Sequence, residues 1–171
     1  MGNRIIVLIY VFAAALLALT FVSLIAGRER SLTFLFGPIE KKAIEFSTLD
    51  INPKPNQFLV CPSGYCIAKP HLISPVFEMD VEALRQRWMV MVAALPRIKA
   101  DLSDDQLMQY EYIQRTALLR FPDSITVRFI SLGKNRSTLA VYSRSHYGHS
   151  DFGTNEARVR LWLSLMQSPG V

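Results

Sequence analysis

Ser143-Arg144-Ser145-His146-Tyr147-Gly148-His149-Ser150-Asp151-Phe152-Gly153-Thr154-Asn155-Glu156-Ala157-Arg158 is the stretch where a two-residue apolar period gives way to a helical one. Upstream of it, Leu139 and Val141 alternate with Thr138, Ala140, Tyr142 and Arg144, the pattern of a half-buried strand. Downstream, Ala157, Leu161, Trp162, Leu165 and Met166 fall at helical spacing, with Thr154 or Asn155 as the cap. Between the two lies a polar turn in which Gly148 and Gly153 allow positive φ.

Working outward, Ile125, Val127 and Phe129 alternate with Thr126 and Arg128, across a turn at Gly133-Lys134-Asn135-Arg136 from the later strand. Met108 to Thr116 reads as a third strand whose inward face the pattern does not choose, and Phe58-Leu59-Val60 reads as a short edge strand. Short connections make the consecutive strands antiparallel neighbours. Before them, Asp80 caps a helix that buries Val81, Leu84, Trp88, Met91, Val92 and Leu95, and Pro96 stops it. The expected fold class is α+β: an N-terminal transmembrane helix, then a small antiparallel sheet of about three to four strands covered by two helices. The expected organisation is an anchor over residues 1–27, a connector over 28–55 and a globular domain over 56–171.

Ile5 to Ala26 carries no charge, Gly or Pro, and is long enough to cross a bilayer as a helix. A cleavable signal peptide is the rival, but Leu24 stands where a small residue is wanted before Ala26. Positive charges flank the span almost equally, through Arg4 on one side and Arg28 and Arg30 on the other. Cys61-Pro62-Ser63-Gly64-Tyr65-Cys66 holds the only two cysteines. A disulfide between them suits an extracytoplasmic compartment, with two reduced thiols in a cytosolic loop as the alternative. The expected location is a bacterial inner membrane, amino terminus in the cytoplasm and domain in the periplasm.

The formal charge is +5, and from Arg28 onward 18 Lys and Arg stand against 14 Asp and Glu, scattered along the chain. That distribution permits a weak attraction to anionic lipid and gives no indication of nucleic-acid binding. The expected partners are the lipid bilayer through residues 5–26 and an anionic lipid or another membrane protein.

With the closing segment in view, the chain resembles the domain of unknown function family 1499, found in bacteria and in plastid-bearing organisms. The matching signature is S-R-S-x-x-G-x-S-D-x-G-x-N-x-x-R, here Ser143, Arg144, Ser145, Gly148, Ser150, Asp151, Gly153, Asn155 and Arg158. The Phe121-Pro122-Asp123 step and the P-x-x-x-C element ending at Cys66 are similar too. The resemblance runs from about Asn56 to Leu165, and it implies no activity and no catalytic residues.

On chemistry, Asp151 with His146 or His149 is the candidate acid and base of a hydrolase acting on envelope lipid or polymer. His146-x-x-His149-x-Asp151 lacks the helix and glutamate of a metalloprotease motif, so no metal and no cofactor is expected. Arg144, Ser145, Ser150, Asp151, Asn155, Arg158 and Arg128 are the candidate ligand-binding set, suited to an anion. Arg128 and Arg144, with Arg115, are expected on a solvated sheet face. The favoured reading is a non-enzymatic accessory or anionic-ligand module in which the motif fastens sheet to helix. Asp151 is expected to bond turn amides or to pair with Arg158 or Arg144. A small accessory subunit of a membrane complex is a further alternative.

Overall fold

The computed structural model describes residues 2–39 and 42–168, which divide into two compact units. The first contains two helices. α1 (Gly2–Ala26) holds a 20-residue window, Asn3–Val22, of mean hydropathy 2.9 with none of it buried. At ~1.5 Å per residue that window is about the thickness of a bilayer's hydrocarbon. The Thr20 hydroxyl donates to the Leu17 carbonyl at 2.8 Å, so this polar group is satisfied within the helix. Gly27, at φ 78°, separates α1 from α2 (Arg28–Phe36), so part of the expected connector is helical.

The second unit is α+β. Its elements run β1 (Gln57–Cys61), β2 (Leu72–Ile73), α3 (Val81–Ala93), β3 (Ile98–Asp104), β4 (Gln109–Arg115), β5 (Pro122–Ser131), β6 (Ser137–Ser145) and α4 (Thr154–Gln167). They form a six-stranded sheet in the order β2-β1-β6-β5-β4-β3, antiparallel except where β2 runs parallel to β1. The sheet is therefore larger than the three to four strands expected from sequence. The pattern reading lacks β3, although Ile98, Ala100 and Leu102 alternate with Lys99 and Asp101; its charges suit a sheet edge, and its register shifts between Ala100 and Leu102. β1 is an interior strand and not an edge: all five of its residues are buried, and Val60 pairs with Leu72 on one side and Val141 on the other.

α3 and α4 cover one face. Leu84, Trp88, Met91, Val159, Trp162 and Met166 pack there on Phe58, Val60, Tyr112, Ile125, Val127, Phe129, Leu139 and Val141. Trp88 meets both Trp162 and Phe129 edge-on, at 5.5 and 6.0 Å between centroids. Asp80 caps α3 as expected, its Oδ1 accepting from Ala83 N at 2.8 Å. α4 is rotated from the expected face. Ala157 and Leu161 are exposed, while Asn155, Arg158, Val159, Trp162, Leu163 and Met166 turn inward. The shift has a chemical cause, because the inward side near the turn is polar and takes Asn155 and Arg158 as partners.

The opposite face is covered too, by loops in place of helices. Ile44 and Phe46 from the segment before β1 pack with Leu59, Cys61, Ala140 and Tyr142, with Tyr65, Cys66 and Ala68 beside them. Cys61 and Cys66 lie at disulfide distance, their Cα atoms 6.2 Å apart, and this crosslink fastens the second loop. Consequently Ser124, Thr126 and Arg128 are buried, not solvated as expected of this face.

Candidate functional site

The strand-to-helix corner is a polar network built on the helix-covered face. β5 brings Asp123, β4 brings Gln114 and β6 brings Ser143 and Ser145, all on the parity that points to α4. Arg158 reaches down from α4 and engages all three nitrogens of its guanidinium there. Its Nε donates to Gln114 Oε1 at 2.6 Å, Nη1 to Ser143 Oγ at 3.0 Å and Asn155 Oδ1 at 2.6 Å, and Nη2 to Asp123 Oδ2. Ser145 Oγ donates to the other Asp123 oxygen at 2.6 Å. Asp123 thus carries the charge that Arg158 needs at this depth.

Asn155 stitches the corner to the start of β1. Its side-chain amide faces the Asn56 carbonyl at 3.1 Å, Ser145 Oγ at 3.0 Å and Asp151 Oδ2 at 2.7 Å, two hydrogens shared among three acceptors. Asn56 Nδ2 in turn donates to the Gly148 carbonyl at 3.0 Å. Every one of these groups finds its partner inside the protein, which is how buried polar atoms avoid a desolvation penalty.

Asp151 caps α4. Its Oδ1 accepts from Gly153 N at 3.0 Å and its Oδ2 from Asn155 N at 2.7 Å, two of the amides that a helix start leaves open. Of the partners expected for Asp151, the turn amides are the ones it takes; Arg158 goes to Asp123 and neither Thr154 nor Asn155 supplies the cap. Gly153 sits at φ 79° and Gly148 at φ 86°, both positive as the turn requires.

The remaining candidates separate. His146 lies on the opposite face, its Nε2 2.7 Å from Ser124 Oγ. His149 is exposed, and Ser150 Oγ accepts from Phe152 N at 3.2 Å within the turn. Asp151 therefore does not share a hydrogen bond with either imidazole in this geometry. Among the described residues no group of three His, Cys, Asp or Glu is placed to hold a metal ion.

Arg128 and Arg144 also lie on the face away from the helices. Arg128 is bidentate on Glu45, at 3.1 and 3.2 Å, and donates to the Tyr65 hydroxyl at 3.3 Å. The Arg128 guanidinium beside Glu45 holds its carboxyl below the usual carboxylate range. Arg144 is half-buried with its guanidinium 5.7 Å from the centre of the Tyr142 ring. Tyr142 donates to Gln57 Oε1, and burial pushes its hydroxyl's pKa up.

The seven candidate ligand residues are thus split. Ser145, Asn155 and Arg158 belong to the buried corner, Asp151 and Ser150 to the turn, Arg144 and Arg128 to the far face. Sequence reasoning missed Asp123, Gln114 and Asn56 as members. Asp123 was readable: it shares the inward parity of Ile125 and Val127, where a carboxylate needs a cation. Two cavities lie elsewhere. One of about 290 Å³ is lined by Ile44, Glu45, Asp104, Gln109 and Glu111 among others. The second, of about 300 Å³, lies between Leu72, Pro75, Arg160 and Leu163.

No curated protein matches the chain in sequence. Among solved structures, the crystal structure of the di-domain ARO/CYC BexL from the BE-7585A biosynthetic pathway matches with a TM-score of 0.42 and 10% identity. The match covers 55% of this chain and 43% of that one, so the chain spans less than half of that protein's length. A likeness of this size carries no argument about ligand or activity. The family is another matter. The model described as "Protein of unknown function (DUF1499)" matches residues 49–166, the whole of the sheet, both covering helices and the Arg158 corner, and the chain belongs to that family.

Proposed function

We propose that this protein is a membrane-anchored module whose signature residues hold a scaffold together, and whose task is to present a binding surface at the membrane. The observation that carries this reading is the commitment of the motif. Arg158, Asn155, Ser143, Ser145 and Asp151 all bond to other parts of the protein, which leaves Arg158 no open fork for a ligand. α1 supplies the anchor, the domain lies in the periplasm of a bacterial inner membrane, and the amino terminus stays in the cytoplasm. The Cys61–Cys66 crosslink supports that side of the membrane, because such bonds persist in oxidising compartments. The partner is an anionic lipid or another membrane protein, the latter making the chain an accessory subunit.

The test is native purification of the full chain in mild detergent, with mass spectrometry of whatever lipid or protein accompanies it. A reporter fused to the carboxyl end reads the side of the membrane. Stoichiometric anionic lipid with the reporter active in the periplasm supports the proposal. A cytoplasmic domain, or an enriched hydrolysis product in place of an intact ligand, defeats it. A hydrolase acting on envelope lipid or polymer is the second reading, favoured by the 2.7 Å contact of Ser124 Oγ with His146 Nε2. Loss of turnover in Ser124→Ala with an unchanged melting curve is the result that would favour it.

A further inference from the structure

Phe152 stands at the tip of the β6–α4 turn with 98% of its surface exposed. Its φ is 54°, a conformation that side chains of its size disfavour. The ring is nonetheless firmly mounted. Ser150 Oγ accepts the Phe152 N–H, Asp151 accepts the next one, and Asp151 is tied through Asn155 into the buried corner. A loop that displays an aromatic ring in a strained conformation on a fixed base invites an apolar partner.

The strand register gathers cations at the same end of the sheet. Gln57 pairs with Arg144, Ile98 with Gln114, and Asp123 with Ser145, so the starts of β1 and β3 lie at the end where β6 runs into the Phe152 turn. Lys54 and Arg97, just before β1 and β3, are exposed there, and Arg144 is half-buried. The acidic groups of this end are largely committed: Asp123 to Arg158, Asp151 to helix amides, Glu156 to Arg160. Asp50 is exposed. An apolar tip with basic flanks is the chemistry of a site that meets an anionic bilayer.

We infer that Phe152 is a membrane wedge: this end of the domain lies on an anionic lipid surface, with the ring among the acyl chains and Lys54 and Arg97 on headgroup phosphates. The inference rests on the reading of α1 as an anchor. A single ring is too little to hold a free protein at a membrane, but a tether makes the second contact intramolecular and raises its effective concentration. A bilayer is also the partner that the chain's own span brings within reach.

The experiment uses the full chain reconstituted in vesicles of phosphatidylcholine, with and without phosphatidylglycerol, whose acyl chains carry bromine. Phe152→Trp adds an indole at the tip, and Trp88 and Trp162, shut in the core, make the unsubstituted chain the blank. The added emission is quenched in vesicles containing phosphatidylglycerol. Lys54→Glu and Arg97→Glu each weaken that docking by about fivefold. An added indole that is unquenched, or quenched equally without phosphatidylglycerol, while the chain floats with the vesicles, overturns the wedge alone. A chain that does not float overturns the anchor, and the wedge with it. Because Phe152 packs on nothing, the substitution tests contact with lipid and not folding.

Discussion

Arg158 and Asp123 form an ion pair with side chains only 7% and 3% exposed, joining the last helix to the middle of the sheet. Breaking such a pair from one side leaves a buried charge without its counter-ion, and for Asp123 only the Ser145 hydroxyl remains. Arg158→Met is therefore expected to destabilise the domain by about 3–5 kcal/mol. Removing both charges, as Arg158→Met with Asp123→Leu, costs less than the sum of the two single changes. Urea unfolding of the four proteins checks this, and strict additivity would mean that the pair does not act as a unit.

Asp151 performs its task through two helix amides, not through chemistry. Asp151→Ala is expected to lower stability by about 1–2 kcal/mol. Asp151→Asn recovers part of the loss, because an amide oxygen still accepts from one of the two N–H groups. Thermal melts decide it. A melting curve unchanged by Asp151→Ala, together with the loss of a measurable turnover, would refute the scaffold reading.

Glu45 gives the far face a pH dependence. Its carboxyl titrates below its unfolded value, chiefly because it accepts from Arg128. A depressed acid stabilises the fold fully above its unfolded pKa, and that contribution is lost as pH falls through the folded one. The Glu45 side chain is about half exposed, so solvent screening keeps the effect modest. Carboxyl NMR titration should find the Glu45 midpoint depressed, and Arg128→Met should raise it, with the Ser47 N–H and hydroxyl still holding the carboxylate.

The Cys61–Cys66 crosslink closes a short loop, for which chain entropy gives about 2 kcal/mol. Reduction, or paired substitution by alanine, is expected to lower the melting temperature and to loosen Tyr65 from Arg128. Hydrogen exchange across residues 62–68 reads the second effect. Unchanged protection there would show that Ile44 and Phe46 hold that cover without it.

The parts of the fold that follow from local pattern were legible. Asp80 and Pro96 bracket α3, and the alternations around Val127 and Val141 give the two central strands. Elements defined by distant neighbours were not. Phe58 to Val60 is interior only because Leu72 and Ile73 pair outside it, and Ile98 to Asp104 is a strand only because β4 lies beside it. At the corner, the motif residues were visible but their partners were not. Arg158 reads as a ligand residue or a partner of Asp151, whereas its counter-ion is Asp123, 35 residues away. Pattern alone also assigned the Arg128 face to solvent, since nothing in β5 announces that Glu45 and Phe46 return to cover it.

The pairing of β1 with β6 sets an order of events. Val60 cannot meet Val141 until nearly all of the domain has been synthesised, so the sheet's centre stays open while the amino end has long since emerged. A chain made amino end first therefore completes α1 while the remainder is still an unfolded thread. Closure then waits for the carboxyl segment. Late knitting of this kind leaves the apolar faces of Val127 and Val141 without their full cover until the last strand and helix arrive.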